Sequence, residues 1–405
     1  MTPAVTVEEH ARLIEQLIAP VIESLGSEPV ALSAGLGRVT AADIRSDVDL
    51  PLFRNSQMDG FAVRAVDVTS VPIALEVTGD IPAGRASPVT LIAGTALRIM
   101  TGAPMPAGAD TVIPVEDTEL VLGRDDALEG AIVTIARGRS AGEFVRERGS
   151  DLRRGDLLLA AGTRLAPRQL AALAAAGAGR VDVRRRLRVG VITTGAELVA
   201  DDEELALGRI FDANRIALSA GIAEAGAVVS VATSSDDDPH DFRRILDEVV
   251  GASDLVITSG GVSKGAFEVV REVLEPLGAS VGSVAMQPGG PQGTAVIDGV
   301  PVVCFPGNPV STQVSFAVFL APILRRVAGL ASRRPETRIL ASPIESVEGK
   351  RQFLRGIASD DGTVAQVSGA SSHLVAAMAR ANVLIDIPIE ATGLQAGESV
   401  AVWML

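Results

Sequence analysis

Cysteine is nearly missing from this sequence: Cys304 is the only one in 405 residues, which excludes an intrachain disulfide framework and points to a reducing, cytoplasmic setting. Basic charge is short as well. There are 50 acidic residues against 36 basic ones, a net charge of −14 and a pI near 4.8, so the surface as a whole repels nucleic acid and anionic lipid. An anionic ligand must then be held by a local site. Only Lys264 and Lys350 are lysines, and the three histidines, His10, His240 and His373, are scattered without metal-ligand spacing. The opening MTPAVTVEEHARL lacks the basic and apolar regions of a secretory signal, and none is expected. Mean hydropathy is +0.33, yet the apolar residues come in short blocks. The most apolar stretch, Val314 to Leu324, is too short to span a bilayer and contains Pro322. Neither a nucleic-acid nor a membrane partner is expected. A nucleophilic triad and the dinucleotide fingerprint GxGxxG are also absent.

A chain of this length exceeds what one hydrophobic core serves, so two to four domains are expected. Thr6 with Glu9 forms a capping box, and Leu13, Ile14, Leu17, Ile18, Val21, Ile22 and Leu25 follow at helical spacing. The first element is therefore a helix that buries one face. From 51 to 150, short apolar runs such as IALEV and ALRIM are cut every few residues by Gly, Pro and Asp, the pattern of a small β-rich insert. Helical composition returns at Ala166–Gly177, so segments 1–50 and 151–182 are read together as one elongated discontinuous domain. Segment 183–330 alternates strands such as LRVGVITT, DLVITS and VVCF with helices such as HDFRRILDEVVG, which predicts a doubly wound, mostly parallel α/β domain. Short strands return in 335–405 and predict a C-terminal β-domain.

Ligands of an open α/β sheet bind outside the carboxyl ends of its strands, so the loops there carry the candidate site. Two of them, TSGGVSKG with Gly260, Gly261, Ser263 and Lys264, and FPGNPVS with Pro306, Gly307, Asn308, Pro309 and Ser311, are glycine-rich turns before helices. Exposed backbone N–H groups in such turns favour a phosphate. Each loop alone reads better as a chain turn with prolines starting a helix; two on one rim favour an anion cradle. Beside them stand the carboxylates Glu197, Asp237, Asp238 and Glu268, whose charge would repel a phosphate unless a divalent ion bridged them, and Mg2+ binds in that way. The alternative for Asp236–Asp238 is an N-cap cluster before the helix at Pro239.

These segments, read together, resemble a known family. MDGFA at Met58–Ala62, RIMTGAPMP and GADTVIPVED within 98–117, RERGSD at Arg146–Asp151, TTGAEL, FDANR, TSGGVSKG and FPGNPVS are similar, in order and spacing, to the signatures of the MoeA and gephyrin E-domain family of molybdopterin molybdenumtransferases. The resemblance implies a homodimer whose active site lies in a cleft, with adenylylated molybdopterin and molybdate as substrates, Mg2+ as cofactor, and molybdenum cofactor and AMP as products. It places Asp59, Thr101 and Asp151 on the facing side of that cleft, and Glu197, Asp237 and Gly260 to Ser263 around the ligand and its Mg2+. Arg355 in FLRG and Ser371 to His373 in GASSHL match positions near the same cleft. A molybdopterin adenylyltransferase and molybdoenzyme acceptors are the further partners implied.

Two departures from the family pattern stand out. Where the family commonly reads KPGKP, this chain reads QPGGP, with Gln287 and Gly290 in place of two lysines, and Lys264 is the expected compensating cation. Glu268 stands where many members carry Asp. Two other readings remain open. A pterin-adenylylating enzyme would share the α/β domain, but GGVS stands where those enzymes read GGTG; a catalytically weak paralogue serving as cofactor carrier or scaffold is what QPGGP would permit.

Overall fold

The computed structural model describes residues 4–84, 89–122, 128, 130–199, 205–263 and 268–405. Packing divides the chain into two compact units, one of residues 1–28, 37–39 and 184–405 and one of 29–36 and 40–183. Helix α1 (Val7–Glu23) opens the first unit. Its capping box is formed as the sequence predicts: Thr6 Oγ1 accepts the Glu9 N–H at 3.1 Å, and Glu9 Oε2 accepts the Thr6 N–H at 2.8 Å. The buried face runs Val7, His10, Ile14 and Ile18. Leu13, expected on that face, is instead 43 % exposed, because the 3-4-4 spacing of the buried four leaves it to one side. Ile14 and Ile18 are fully buried in the core of this unit, each contributing roughly 1.5–3 kcal/mol.

The second unit is built on a six-stranded sheet. Its strands are β1 (Gly60–Val63), β2 (Ile73–Ile81), β3 (Thr95–Ile99), β4 (Thr111–Pro114), β5 (Thr118–Val121) and β6 (Ala131–Ile135), in the spatial order β4-β1-β3-β2-β6-β5. Only β2 and β3 run parallel. Two apolar clusters fill the two faces of this sheet, one around Phe61, Val77 and Val133 and one around Ala62, Leu97 and Val112, and a third, around Leu165, Leu173 and Val183, lies elsewhere in the unit. Neighbours Phe61 and Ala62 fall in different clusters because successive side chains leave a strand on opposite faces. Helix α2 (Pro167–Ala175) belongs to this unit as well.

The first unit resumes with the expected α/β alternation. Strands β7 (Arg188–Thr194), β8 (Val228–Ser235), β9 (Leu255–Ser259), β10 (Ser280–Ser283), β11 (Met286–Gln287), β12 (Pro291–Ile297) and β13 (Val300–Phe305) are interleaved with helices α3 (Ala213–Glu224), α4 (Pro239–Ala252) and α5 (Val269–Leu274). The sheet order is β8-β7-β9-β13-β12-β10. Its first four strands are parallel, and β12 and β10 close one edge antiparallel. Strand β9 is buried along its whole length, as the sheet centre requires. The long closing helix, Pro309–Val327, contains a π-helical turn at Phe316–Leu320, two residues before Pro322, which has no N–H to give. Its composition alone would suit a membrane span, but 61 % of it is buried inside this unit.

Strands β14 (Glu336–Leu340), β15 (Arg351–Ala358), β16 (Thr363–Gln366), β17 (Val383–Ile387) and β18 (Ser399–Met404) form the C-terminal sheet. It closes on itself, since β15 pairs with both β16 and β17, and it buries Leu354, Val364, Ile385 and Val402. Short β11 adds to its edge: Met286 pairs with Arg351 and Gln287 with Gln352, in parallel. That seam carries the C-terminal sheet to the rim of the α/β sheet.

Candidate functional site

Four strand ends of the α/β sheet open into one cleft of ≈ 730 Å³, within the roughly 300–1,000 Å³ typical of small-ligand sites. Gly195 and Glu197 enter it from the end of β7, Asp237 from β8, Gly260, Gly261 and Ser263 from β9, and Pro306 to Pro309 with Ser311 from β13. The rim the sequence points to is therefore assembled by these crossings.

The glycine turn after β9 is set by space and by backbone. Gly260 has φ +105° and Gly261 φ +63°. A Cβ on Gly260 would lie 2.5 Å from Thr194 Oγ1 and 2.7 Å from Thr194 O, and one on Gly261 would lie 2.9 Å from the Val270 nitrogen. Only glycine permits both the left-handed conformation and the approach. Asn214, in the first turn of α3, links this turn to the one after β13. Its Nδ2 donates to Ser259 Oγ at 3.0 Å and to Gly307 O at 2.6 Å. Its Oδ1 is buried and has no partner among the described residues.

The carboxylates separate into different roles. Asp237 Oδ2 accepts the Ala196 N–H at 3.3 Å, so Asp237 and Glu197 flank one turn of the cleft wall. Asp238 does not line the cleft; its Oδ1 accepts the N–H groups of His240 at 2.8 Å and Asp241 at 3.0 Å and caps α4. The Asp241 and His240 N–H groups hold that carboxyl below its ordinary pKa. Glu268 lines the cleft, and its Oε2 accepts the Ser263 N–H at 2.8 Å. Asp212 caps α3 by accepting the Arg215 N–H at 3.0 Å and takes a further hydrogen bond from Thr193 Oγ1 at 2.6 Å. Among the described residues no three Asp, Glu, His or Cys side chains converge on one point that could hold a metal ion. Lys264 lies outside the described residues.

The opposite wall comes from β11 and the C-terminal sheet. Gln287 to Gly290, Lys350 and Ala370 to Ser372 line it. Gln287 Oε1 accepts from Gln352 Nε2 at 2.5 Å, a neutral pair. Arg355, at 1 % exposure, lies behind this wall; its Nη2 donates to Gly369 O, immediately before the lining segment. Its Nε and Nη1 have no partner among the described residues, and burial pushes its pKa down. Ser372 O accepts the Val310 N–H at 3.1 Å, docking the segment on the start of the long helix, and Ser371 Oγ lies 2.8 Å from His373 Nδ1.

Asp59, Thr101 and Asp151 belong to the second unit. Asp59 Oδ1 accepts the Thr101 N–H at 2.6 Å and its hydroxyl at 2.8 Å. These two bonds, the backbone one first, hold the Asp59 carboxyl below its ordinary pKa, so it is charged at neutral pH. Asp151 is exposed and donates its N–H to Leu50 O at 2.9 Å. Asn214, Asp212 and Lys350 are the site residues that sequence reasoning did not single out. The first two lie inside FDANR, so the signal was present in a motif already recognised.

Comparison with known proteins gives concordant matches over nearly the full chain. Residues 5–177 match the MoeA N-terminal region (domain I and II), 190–326 a probable molybdopterin binding domain, and 337–405 the MoeA C-terminal region (domain IV). The chain is 40 % identical to molybdopterin molybdenumtransferase 2 of Mycobacterium tuberculosis, covering 99 % of each. It is 34 % identical to a molybdopterin molybdenumtransferase of Nostoc sp., covering 100 % of this chain and 94 % of the relative. A crystal structure of a molybdopterin biosynthesis MoeA protein from Pyrococcus horikoshii superposes with a TM-score of 0.83 at 32 % identity, over 99 % of each chain.

Proposed function

The chain belongs to the MoeA family, whose curated members are molybdopterin molybdenumtransferases of molybdenum cofactor biosynthesis, and from that premise we propose that its cleft takes adenylylated molybdopterin and molybdate and releases molybdenum cofactor and AMP. The observation that carries this reading is the meeting of two backbone-lined glycine turns with Glu197 and Asp237 in one cleft. Since the Gly260 N–H goes to Phe305 O, the Ser263 N–H to Glu268 and the Val310 N–H to Ser372 O, it is the N–H groups of Gly261, Val262 and Ser311, within the turn after β9 and near the start of the 19-residue helix from Pro309, that suit phosphate oxygens. The two carboxylates repel them.

A hard divalent ion reconciles these groups. Mg2+ takes one or two carboxylates and completes its shell with water and phosphate oxygens, so Glu197 and Asp237 fit it without a third protein ligand. Bound there, Mg2+ would neutralise charge on the phosphoanhydride as it cleaves. Glu268 accepts the Ser263 N–H, so a phosphate seated on the turn would compete with it for that donor. Arg355 holds the Gly369–Ser372 segment in place, which leaves Ser371 and Ser372 to face the ligand. We extend the reading to a cytoplasmic homodimer in which the Asp59–Thr101 pair and Asp151 of one copy complete the site of the other, with the four-domain division expected from the sequence. A molybdopterin adenylyltransferase supplying the substrate and molybdoenzymes receiving the product are the partners of this scheme.

The Mg2+ assignment is tested by titrating the metal against AMP release in the native chain and in Asp237→Asn and Glu197→Gln. The reading expects half-maximal Mg2+ to rise by about tenfold or more in each variant, since each removes a charged ligand. Equal Mg2+ requirements in all three proteins would remove these residues from the metal site.

A further inference from the structure

The cleft has an unbalanced charge. Among its described lining residues, Glu197, Asp212, Asp237 and Glu268 are acidic and Lys350 alone is cationic. A second anion in so acidic a cleft is favoured by a cationic side chain besides the backbone N–H groups and the metal, and Lys350 is placed to be it. Parallel pairing of β11 with β15 sets Arg351 opposite Met286, and the Arg351 N–H donates to Ala285 O at 2.9 Å. Lys350 therefore enters beside the turn that carries Gln287 to Gly290.

Its neighbour is committed elsewhere. Arg351 pairs with Asp386, with Nε at 2.7 Å from Oδ1 and Nη2 at 2.5 Å from Oδ2, and also with Glu8. The guanidinium thus anchors the C-terminal sheet, while Lys350, in the bend just before β15, lines the cleft. Lys350 is exposed, and its ammonium has no ion-pair partner among the described residues. Lysine also suits this role, because its ammonium is a compact point charge on a flexible stem, able to follow a small tetrahedral anion.

We propose that Lys350 is the cationic contact for the tetrahedral oxyanion substrate in this cleft, the position from which this chain supplies the charge that Gln287 and Gly290 do not. The proposal rests on the functional reading above and adds to it the residue that meets the oxyanion. Two sources of tetrahedral anion chemistry compete for the assignment, a free dianion such as molybdate and the phosphate of the adenylate. The carboxylates and glycine turns serve the second, and Lys350, on the opposite wall, serves the first.

Having two lysines makes the test direct. The full-length protein is acylated with an amine-directed reagent, alone and with molybdate, sulfate or AMP, and modification of Lys350 is followed by peptide mass spectrometry. Molybdate binding is measured by calorimetry for the native chain, Lys350→Ala and Lys350→Arg, with thermal unfolding as the check that each variant is folded. The proposal expects molybdate and sulfate, but not AMP, to slow acylation of Lys350. It also expects Lys350→Ala to weaken molybdate binding by about tenfold, with Lys350→Arg retaining most of it. Equal affinity in the native chain and a folded Lys350→Ala, or acylation that only AMP slows, would overturn it while leaving the transferase reading intact. If the native chain binds adenylylated molybdopterin but no molybdate under any condition, both fail together.

Discussion

Replacing Gly260 by alanine should damage the cleft, while the same replacement at Gly251 should not. At Gly260 the backbone sits at φ +105°, a conformation that costs a residue with a Cβ about 1–3 kcal/mol. The added carbon would also lie 2.5 Å and 2.7 Å from Thr194 Oγ1 and O. The hydroxyl can rotate away, but the carbonyl belongs to the end of β7 and can yield only if the strand moves. Displacing the strand to admit the carbon costs about 1–3 kcal/mol more and alanine recovers about 0.4–1 kcal/mol by restricting the unfolded chain, which leaves a net loss of roughly 3 kcal/mol at mid-range. Gly251 lies in helix α4 with nothing within 4 Å of the added carbon, so alanine there gains up to about 1 kcal/mol of helix propensity. For units of this size, 1 kcal/mol shifts the melting temperature by about 2–4 °C. Thermal unfolding by circular dichroism should show Gly260→Ala falling by about 5–10 °C and Gly251→Ala holding or rising. Titration with AMP should show weakened binding in the first only. If Gly260→Ala melts and binds like the native chain, the account of the glycine turn is wrong.

The buried His10, edge-on to Phe319 at 4.8 Å, gives a pH prediction: burial drops its pKa from 6.5 to about 4. The folded value is depressed, so its contribution is fully present above about 6.5 and is lost as pH falls from there through 4, on the order of 3 kcal/mol in all; denaturant midpoints across this window should flatten in His10→Leu, and parallel curves for the two proteins would refute it. The fully buried Cys304, whose thiol burial pushes up to about 12, should react with a thiol reagent at pH 8 only after unfolding. Rapid modification of the native chain would contradict its placement in β13.

Much of this architecture was legible in the sequence because its signals are local. Thr6 and Glu9 announce α1, the alternation of apolar runs with amphipathic segments announces the doubly wound sheet, and the strand-end position of Gly260, Asn308 and Glu197 announces the rim. Pairings between distant segments are not local and leave no periodic trace. Met286–Gln287 meets Arg351–Gln352 across more than sixty residues, and that seam is what brings Lys350 into the cleft. Side-chain allocation was equally hidden: three consecutive acids, Asp236 to Asp238, look alike in sequence, yet Asp238 caps a helix while Asp237 turns into the cleft. The π turn at Phe316–Leu320 follows from how one long helix accommodates Pro322 and has no pattern of its own.

The decisive measurement mixes the purified protein with adenylylated molybdopterin and Mg2+, with and without molybdate, and follows AMP and molybdenum cofactor together. A molybdenum-inserting enzyme releases AMP only when molybdate is present, mole for mole with cofactor formed, and Asp59→Ala loses that release. AMP release at the same rate without molybdate, or tight binding with no release at all, would contradict that assignment.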